Sequence, residues 1–153
     1  NLWMNIKLDS LLEVIKKVDV LIINDSEAKL LSKNNNIIKA AEIIQKMGCK
    51  YLIIKKGEHG ALLFGDNKVF SAPALPIKEV YDPTGAGDTF AGGFAGYLSK
   101  TDDTSFNNMK KAVIYGSTLA SFNVEKASTK GIENLTKEQI ENRYNQFKEL
   151  AGF

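Results

Sequence analysis

Two short, strongly apolar runs constrain the fold of this chain more than any other feature. Residues 19–23 contain Val-Leu-Ile-Ile, and residues 51–55 read Tyr-Leu-Ile-Ile-Lys. Apolar runs without alternating polar residues are typical of strands that are buried on both faces of a parallel sheet. The segment between them has a helical pattern. The strand–helix–strand order therefore predicts parallel strands joined by right-handed crossovers.

Helical periodicity accounts for most of the remaining chain. It predicts helices over residues 9–18, 26–31, 37–47, 87–98, 106–124 and 136–150. The last of these opens with Thr136 and Gln139 in a capping-box pattern. Residues 60–64 and 68–71 flank Gly-Asp-Asn at 65–67, which predicts a hairpin. The sequence thus predicts an α/β layered fold, with a mostly parallel sheet flanked by helices.

Composition excludes several classes of protein. A chain of 153 residues fits one domain, and a net charge of +2 argues against a nucleic-acid binder that depends on bulk charge. No apolar stretch approaches the ~20 residues of a membrane span. Cys49 is the only cysteine, so no internal disulfide can form and a reducing compartment is expected. We therefore expect a cytoplasmic protein without nucleic-acid or membrane partners.

Residues 82–88 read Asp-Pro-Thr-Gly-Ala-Gly-Asp and lie where an apolar helix is predicted to begin. A helix N-terminus has unpaired N–H groups and a partial positive charge, so small residues there predict a phosphate site. Asp88 would repel bound phosphate, but it can act as a base that accepts a proton from an attacking hydroxyl. The pattern therefore predicts phosphoryl transfer to an alcohol. For residues 85–87 alone, the alternative is a tight turn without a ligand.

The string at residues 82–95 resembles the C-terminal signature of the PfkB/ribokinase family of sugar and nucleoside kinases. A typical member is considerably longer. The resemblance therefore implies that residues 1–153 are the C-terminal, nucleotide-binding portion, without the N-terminal substrate and lid half. It also implies a ribokinase-like fold, ATP and Mg²⁺ as cofactors, and a sugar or nucleoside as the small-molecule substrate. A homo-oligomer stays open, because relatives often associate through the lid.

The resemblance also assigns roles within the glycine motif. Asp88 corresponds to the catalytic base, and the N–H groups of Gly85, Ala86 and Gly87 correspond to the anion hole for the transferred phosphoryl group. Asp82 and Thr84 match positions that hold a monovalent cation, K⁺, in many members. Many members have Thr at the position of Pro83, which here lacks an N–H and has a fixed φ.

Asn24 and Glu27, directly after the first strand, resemble the Asn-x-x-Glu motif of the family. Its two polar residues influence Mg²⁺ and phosphate, partly through water, so Glu27 is a candidate magnesium ligand through water. The location fits, because ligands collect at the carboxyl ends of strands in open α/β sheets. The alternative is a helix N-terminus, with Asp25 or Ser26 as the cap and Glu27 interacting with the helix dipole.

The segment after the second strand resembles the Gly-x-x-Gly turn that lies against the nucleotide in the family. Gly57 and Gly60 match its glycines, and Lys55 precedes it at a position that can reach phosphate. The alternative is a hairpin turn with solvated charges. Asn123 is the best candidate for the adenine side, and the alternative for this residue is a plain role at a helix C-terminus.

Small residues recur at four-residue spacing on two predicted helices, which places them on one face of each helix. We expect these two faces to pack against each other. The residues are Asp88, Gly92 and Gly96 on one helix, and Ala112, Gly116 and Ala120 on the next.

Three alternatives to an ATP-dependent sugar kinase follow from the sequence. A nucleoside or vitamin-precursor kinase would use the same fold, and a non-catalytic nucleotide-binding fragment would keep the site without turnover. A dinucleotide-binding oxidoreductase would need a glycine fingerprint directly after the first strand. Residues 24–27 read Asn-Asp-Ser-Glu and occupy that place instead, which argues against the oxidoreductase.

Overall fold

Residues 8–152 are described by the computed structural model, with only the backbone of Ser128 and Thr129. Trp3, for which we expect burial, lies outside the described residues. Contacts divide the described chain into two units. The first comprises residues 8–57 and 61–71, and the second comprises residues 58–60 and 72–152.

The first unit contains three helices and a four-stranded sheet in the order β1-β2-β3-β4. The elements are α1 (Leu8–Ile15), β1 (Val20–Asn24), α2 (Asp25–Ser32), α3 (Ile37–Gln45), β2 (Tyr51–Lys55), β3 (Ala61–Gly65) and β4 (Lys68–Ala72). Helices α2 and α3 contact each other, α2 contacts β1 and β2, and α3 contacts β2. The sheet therefore has helices against its first two strands, as the layered pattern predicts.

The strand directions confirm the prediction of a parallel sheet only in part. Strands β1 and β2 are parallel, in a register that pairs Val20 with Tyr51 and Asn24 with Lys55. Strand β3 runs antiparallel to β2, pairing Leu52 with Phe64. Among the described strands the sheet is thus mixed, because β3 and β4 return by short turns instead of helical crossovers.

The predicted hairpin is present between β3 and β4. Its two turn residues, Asp66 and Asn67, have φ of 48° and 56°. Positive φ at both central residues is the requirement of a two-residue type I′ turn, and Asp and Asn tolerate it better than most residues. The Tyr51 hydroxyl donates to the Asp66 carboxylate over 3.0 Å, which attaches the turn to the neighbouring strand.

Aliphatic side chains from the helices and strands form the core of the first unit. Strands β2 and β3 each have four buried residues, whereas β1 has only one. The buried members of this cluster include Ile15, Ile23, Leu31, Ile44, Leu52, Ile54 and Phe64. The expectation of a buried strand is therefore confirmed for β2, whereas β1 is mostly half-buried.

The second unit contains three helices: α4 (Ala86–Thr101), α5 (Phe106–Asn123) and α6 (Lys137–Ala151). Helices α4 and α5 pack closely, but not through the face of α4 that we expected. A Cβ built on Gly93 would lie 3.1 Å from the Gly116 Cα, whereas a Cβ on Gly92 or Gly96 would have nothing within 4 Å. On α5, Gly116 of the predicted face makes the contact. The Asp88 face of α4 remains open because Gly93 makes the contact.

Arg143 links helix α6 to the end of α5 and to the residues that follow it. Arg143 donates to both carboxylate oxygens of Glu125, over 2.8 and 3.2 Å. Its guanidinium carbon lies 3.7 Å from the centroid of the Phe122 ring. The predicted capping box of α6 is confirmed, since Thr136 and Gln139 cap each other's backbone N–H groups. The contacts of Arg143 hold the last turn of α5, which borders the glycine motif.

No helix within residues 8–152 combines the length and the apolar content that crossing a bilayer requires.

Candidate functional site

Helix α4 begins without a side-chain cap. Its N-cap residue, Gly85, has φ of 80° and ψ of −7°, in the left-handed region that favours glycine. The Ala86 N–H donates to the Pro83 carbonyl over 3.2 Å. Among the described residues, the structure gives no acceptor for the N–H groups of Gly85, Gly87 and Asp88. Three backbone donors are therefore available at the positive end of a sixteen-residue helix.

These donors differ partly from those the sequence predicts. The N–H of Ala86 is used inside the turn, so Ala86 is a weaker candidate for the anion hole than Gly87. The N–H of Asp88 is an additional candidate that sequence reasoning missed, although unpaired N–H groups in a first helical turn give the signal for it. The Asp88 side chain is exposed on the same turn. A backbone anion site and a carboxylate thus lie within one helical turn.

The loop before α4 is fixed by the end of α5. The carbonyl of Val124 accepts the N–H groups of Tyr81 and Asp82, over 2.8 and 3.3 Å. The side chain of Asn123 donates from Nδ2 to the Thr84 carbonyl over 2.9 Å. Asn123 is only 1% exposed. The backbone of Val124 therefore holds one end of the loop, and the side chain of Asn123 holds the other end at Thr84.

Asp82 and Thr84, the candidate monovalent-cation residues, interact with each other. The Asp82 Oδ1 accepts the Thr84 N–H over 2.9 Å, and the Thr84 carbonyl is bonded to Asn123. Within residues 8–152, no group of three or more His, Cys, Asp or Glu side chains is arranged to hold a metal ion. Any cation here would draw on the carboxylate of Asp82 and the hydroxyl of Thr84.

In the first unit, Asn24 and Glu27 form a reciprocal capping box at the start of α2. The Asn24 Oδ1 accepts the Glu27 N–H over 2.8 Å, and the Glu27 Oε2 accepts the Asn24 N–H over 2.9 Å. The predicted helix start is therefore confirmed, but Asn24 is the cap and not Asp25 or Ser26. Lys55 is the register partner of Asn24 on the parallel strand β2. The structure thus brings Asn24, Glu27 and Lys55 to one edge of the sheet.

The Gly-x-x-Gly segment forms a single 3₁₀ turn, Gly57–His59. Gly57 and Gly60 have φ of 56° and 80°, in the left-handed region that favours glycine. A Cβ on Gly60 would overlap the Ala72 carbonyl oxygen. Glu58 and His59 are exposed, which fits the alternative of solvated turn charges. The backbone thus favours glycine at both positions, and the contact with Ala72 requires it at position 60.

Comparison with known proteins covers most of the chain. Residues 1–136 match a protein family described as the pfkB family of carbohydrate kinases. The cytidine kinase of Thermococcus kodakarensis is 42% identical over 92 residues, which cover 58% of this chain and 33% of that protein. The ribokinase of Staphylococcus aureus is 30% identical over 119 residues, which cover 74% of this chain and 38% of that protein.

A solved structure agrees with these sequence relatives. The ribokinase of Thermotoga maritima superposes with a TM-score of 0.74 at 31% identity, covering 88% of this chain and 44% of that chain. The mixed sheet and its flanking helices therefore form a layered fold of the ribokinase type. The chain spans less than half the length of the relatives it matches.

Proposed function

Because this chain belongs to the pfkB family of carbohydrate kinases, we propose that it provides the ATP site, anion hole and catalytic base of a kinase. The reaction transfers a phosphoryl group from ATP to a hydroxyl of a sugar or nucleoside. One observation carries the proposal. At the start of α4, the N–H groups of Gly87 and Asp88 have no acceptor among the described residues, and the Asp88 carboxylate is exposed beside them.

The arrangement supports two chemical roles. Unpaired N–H groups at the positive end of a helix stabilise the negative charge that phosphoryl oxygens carry in the transition state. The carboxylate of Asp88 accepts the proton of the attacking hydroxyl as the new P–O bond forms. A carboxylate so close to an anion site repels the ligand, and a catalytic base is a role that accounts for its presence there.

In the first unit, we propose that Asn24 and Glu27 act on the phosphates and their Mg²⁺, partly through water. The capping box uses one polar atom of each side chain, and no described residue bonds to the Asn24 Nδ2 or the Glu27 Oε1. Carboxylate and water oxygens suit Mg²⁺, which when bound neutralises charge on the phosphate oxygens. Lys55 is proposed to reach phosphate, and the turn with Gly57 and Gly60 to lie against the nucleotide.

A nucleoside acceptor is the second candidate, favoured by the 42% identity to a cytidine kinase. A vitamin precursor as the acceptor of a kinase with the same fold is a further alternative.

We also propose that a monovalent cation binds at Asp82 and Thr84. Turnover measured with and without K⁺ tests this site directly. A nucleotide-binding fragment without turnover is the remaining alternative. For the whole protein, we propose a cytoplasmic location.

The decisive experiment uses the complete gene product that contains this chain. ATP binding is measured by calorimetric titration with Mg²⁺, and turnover is measured with ribose, fructose and cytidine as acceptors. Asp88→Asn is expected to lower turnover by about 10²–10⁴-fold, because it removes the general base, while ATP binding remains. Gly87→Val is expected to abolish ATP binding, since a branched side chain would block the approach of phosphate to the backbone.

The matched control is Glu138→Gln, which removes an exposed carboxylate from the first turn of α6. Turnover by this variant should equal that of the unmodified protein. Normal turnover by Asp88→Asn would refute the assignment of the base. ATP binding without turnover for any acceptor, in the unmodified protein, would favour the non-catalytic alternative.

A further inference from the structure

The carbonyl of Thr84 is bonded from outside the helix that it precedes. Thr84 comes before the N-cap Gly85, so no N–H group of α4 is expected to bond to it. Here it accepts a hydrogen bond from the Asn123 side chain over 2.9 Å, from a residue 39 positions away. A carbonyl can only accept, so the bonded atom of Asn123 must be its nitrogen, Nδ2. The N–H of Asp88 has no acceptor among the described residues.

The other half of the same amide is also used. The Asn123 Oδ1 accepts the Thr89 hydroxyl over 3.3 Å. A Cβ built on Gly85 would lie 3.7 Å from Nδ2 and 3.9 Å from Oδ1, so the amide lies directly against the N-cap of α4. Asn123 is 1% exposed. One buried side chain thus joins the residue before the helix to a residue in its first turn.

We infer that Asn123 is a positioning residue for phosphoryl transfer, an inference that rests on the proposed function. By bonding to the Thr84 carbonyl and to the Thr89 hydroxyl, Asn123 fixes the loop before the N-cap and the first turn after it. The N–H groups of Gly87 and Asp88, which a helix start leaves unpaired, are then held in a fixed position for phosphoryl oxygens. Both polar groups of a buried amide are occupied here, which favours this role over contact with adenine.

The test compares Asn123→Ala, Thr89→Val and Asn108→Ala in the complete gene product. Asn108 is the matched control: it is also a buried amide of α5, and its Nδ2 donates to Thr101 and Asp103, away from the glycine motif. Loss of one oxyanion donor costs about 10²–10³-fold in kcat. We expect Asn123→Ala to lower kcat by about 10²-fold while KM for Mg-ATP changes by less than about threefold.

Thr89→Val removes only the second bond of the amide, so it should lower kcat less than Asn123→Ala does. Asn108→Ala should lower thermal stability without changing kcat. Should Asn123→Ala fail to fold, Asn123→Asp removes the donor to Thr84 and keeps an acceptor for Thr89. A rise in KM for ATP with kcat unchanged would identify an adenine contact and overturn the inference. So would equal kcat values for Asn123→Ala and Asn108→Ala.

A second measurement does not depend on turnover. Amide hydrogen exchange of Thr89, whose N–H donates to the Gly85 carbonyl, should be at least about tenfold faster in Asn123→Ala, because the first turn of α4 loses its link to α5. Unchanged exchange would overturn the inference even in an active kinase. An inactive unmodified protein whose Asn123→Ala variant still shows the faster exchange would refute the proposed function alone.

Discussion

Gly93 of α4 faces Gly116 of α5 so closely that a Cβ built on Gly93 would lie 3.1 Å from the Gly116 Cα. A Cβ on Gly116 would lie 2.7 Å from the Phe90 carbonyl oxygen. Because Asn123 lies at the end of α5, this contact also sets the distance between Asn123 and the start of α4. The packing of two glycines therefore contributes to the geometry of the candidate site.

We expect Gly116→Ala to lower the free energy of unfolding by about 1–3 kcal/mol, because its Cβ would overlap a backbone oxygen that cannot rotate away. The matched control is Gly92→Ala on the open face of α4, with nothing within 4 Å of its Cβ. There the greater helix propensity of alanine should raise stability by about 1 kcal/mol. Urea unfolding measures both, and changes of the same sign would contradict the interface described.

Replacing Arg143 by lysine should lower stability by about 1–2 kcal/mol, because lysine cannot reproduce the paired bonds to Glu125 or the stacking on Phe122. Lys148 provides the control, since its Nζ lies 5.4 Å from the Tyr144 ring centroid and the residue is exposed. Lys148→Met should leave the melting temperature nearly unchanged. If the two variants melt at the same temperature, Arg143 does not stabilise the end of α5.

Asn24→Ala should destabilise the protein by about 1 kcal/mol, because the Glu27 N–H loses its cap. Asn24→Asp should cost much less, since aspartate caps helices about as well as asparagine does. Asn35, an exposed residue before α3, serves as the control, and Asn35→Ala should have no effect. Chemical denaturation would contradict the capping box if alanine and aspartate at position 24 gave equal stability.

The Cys49 thiol should react slowly with iodoacetamide in the native protein. Burial raises its pKa, and Cys49 is only 4% exposed, so both the thiolate form and access are reduced. We expect alkylation at pH 8 to be at least about tenfold slower than in the urea-unfolded chain. A cysteine at the exposed neighbouring position, Lys50→Cys in a Cys49→Ala background, should react quickly without denaturant.

Much of the fold could be predicted because the signals are local. Strand β2 has the predicted bounds, and the capping box at Thr136 follows from a four-residue pattern. Helix α1 ends at Ile15, three residues before the predicted end, although Val18 continues its apolar spacing. The antiparallel β3 escaped the prediction of a mostly parallel sheet. Its direction depends on which strand it meets, and periodicity within a strand carries no such information.

The candidate site could be predicted in part for the same reason. The motif at residues 82–88 gives the helix start, and its glycines predict open backbone. No local pattern shows that Asn123 reaches the Thr84 carbonyl, since 39 residues separate them. The same limit applies to the small faces of α4 and α5: spacing identified Gly92 and Gly96, but packing uses Gly93, one position away on the helix.

The bonds from Val124 to Tyr81 and Asp82 come from a backbone carbonyl, whereas the neighbouring bonds come from the Asn123 side chain. A carbonyl is common to all twenty amino acids, so position 124 can diversify without loss of its anchoring bonds. Position 123 has no such freedom, because few side chains carry both a donor and an acceptor of that reach. Two adjacent positions should therefore differ sharply in mutational tolerance when a randomised library is selected for kinase activity.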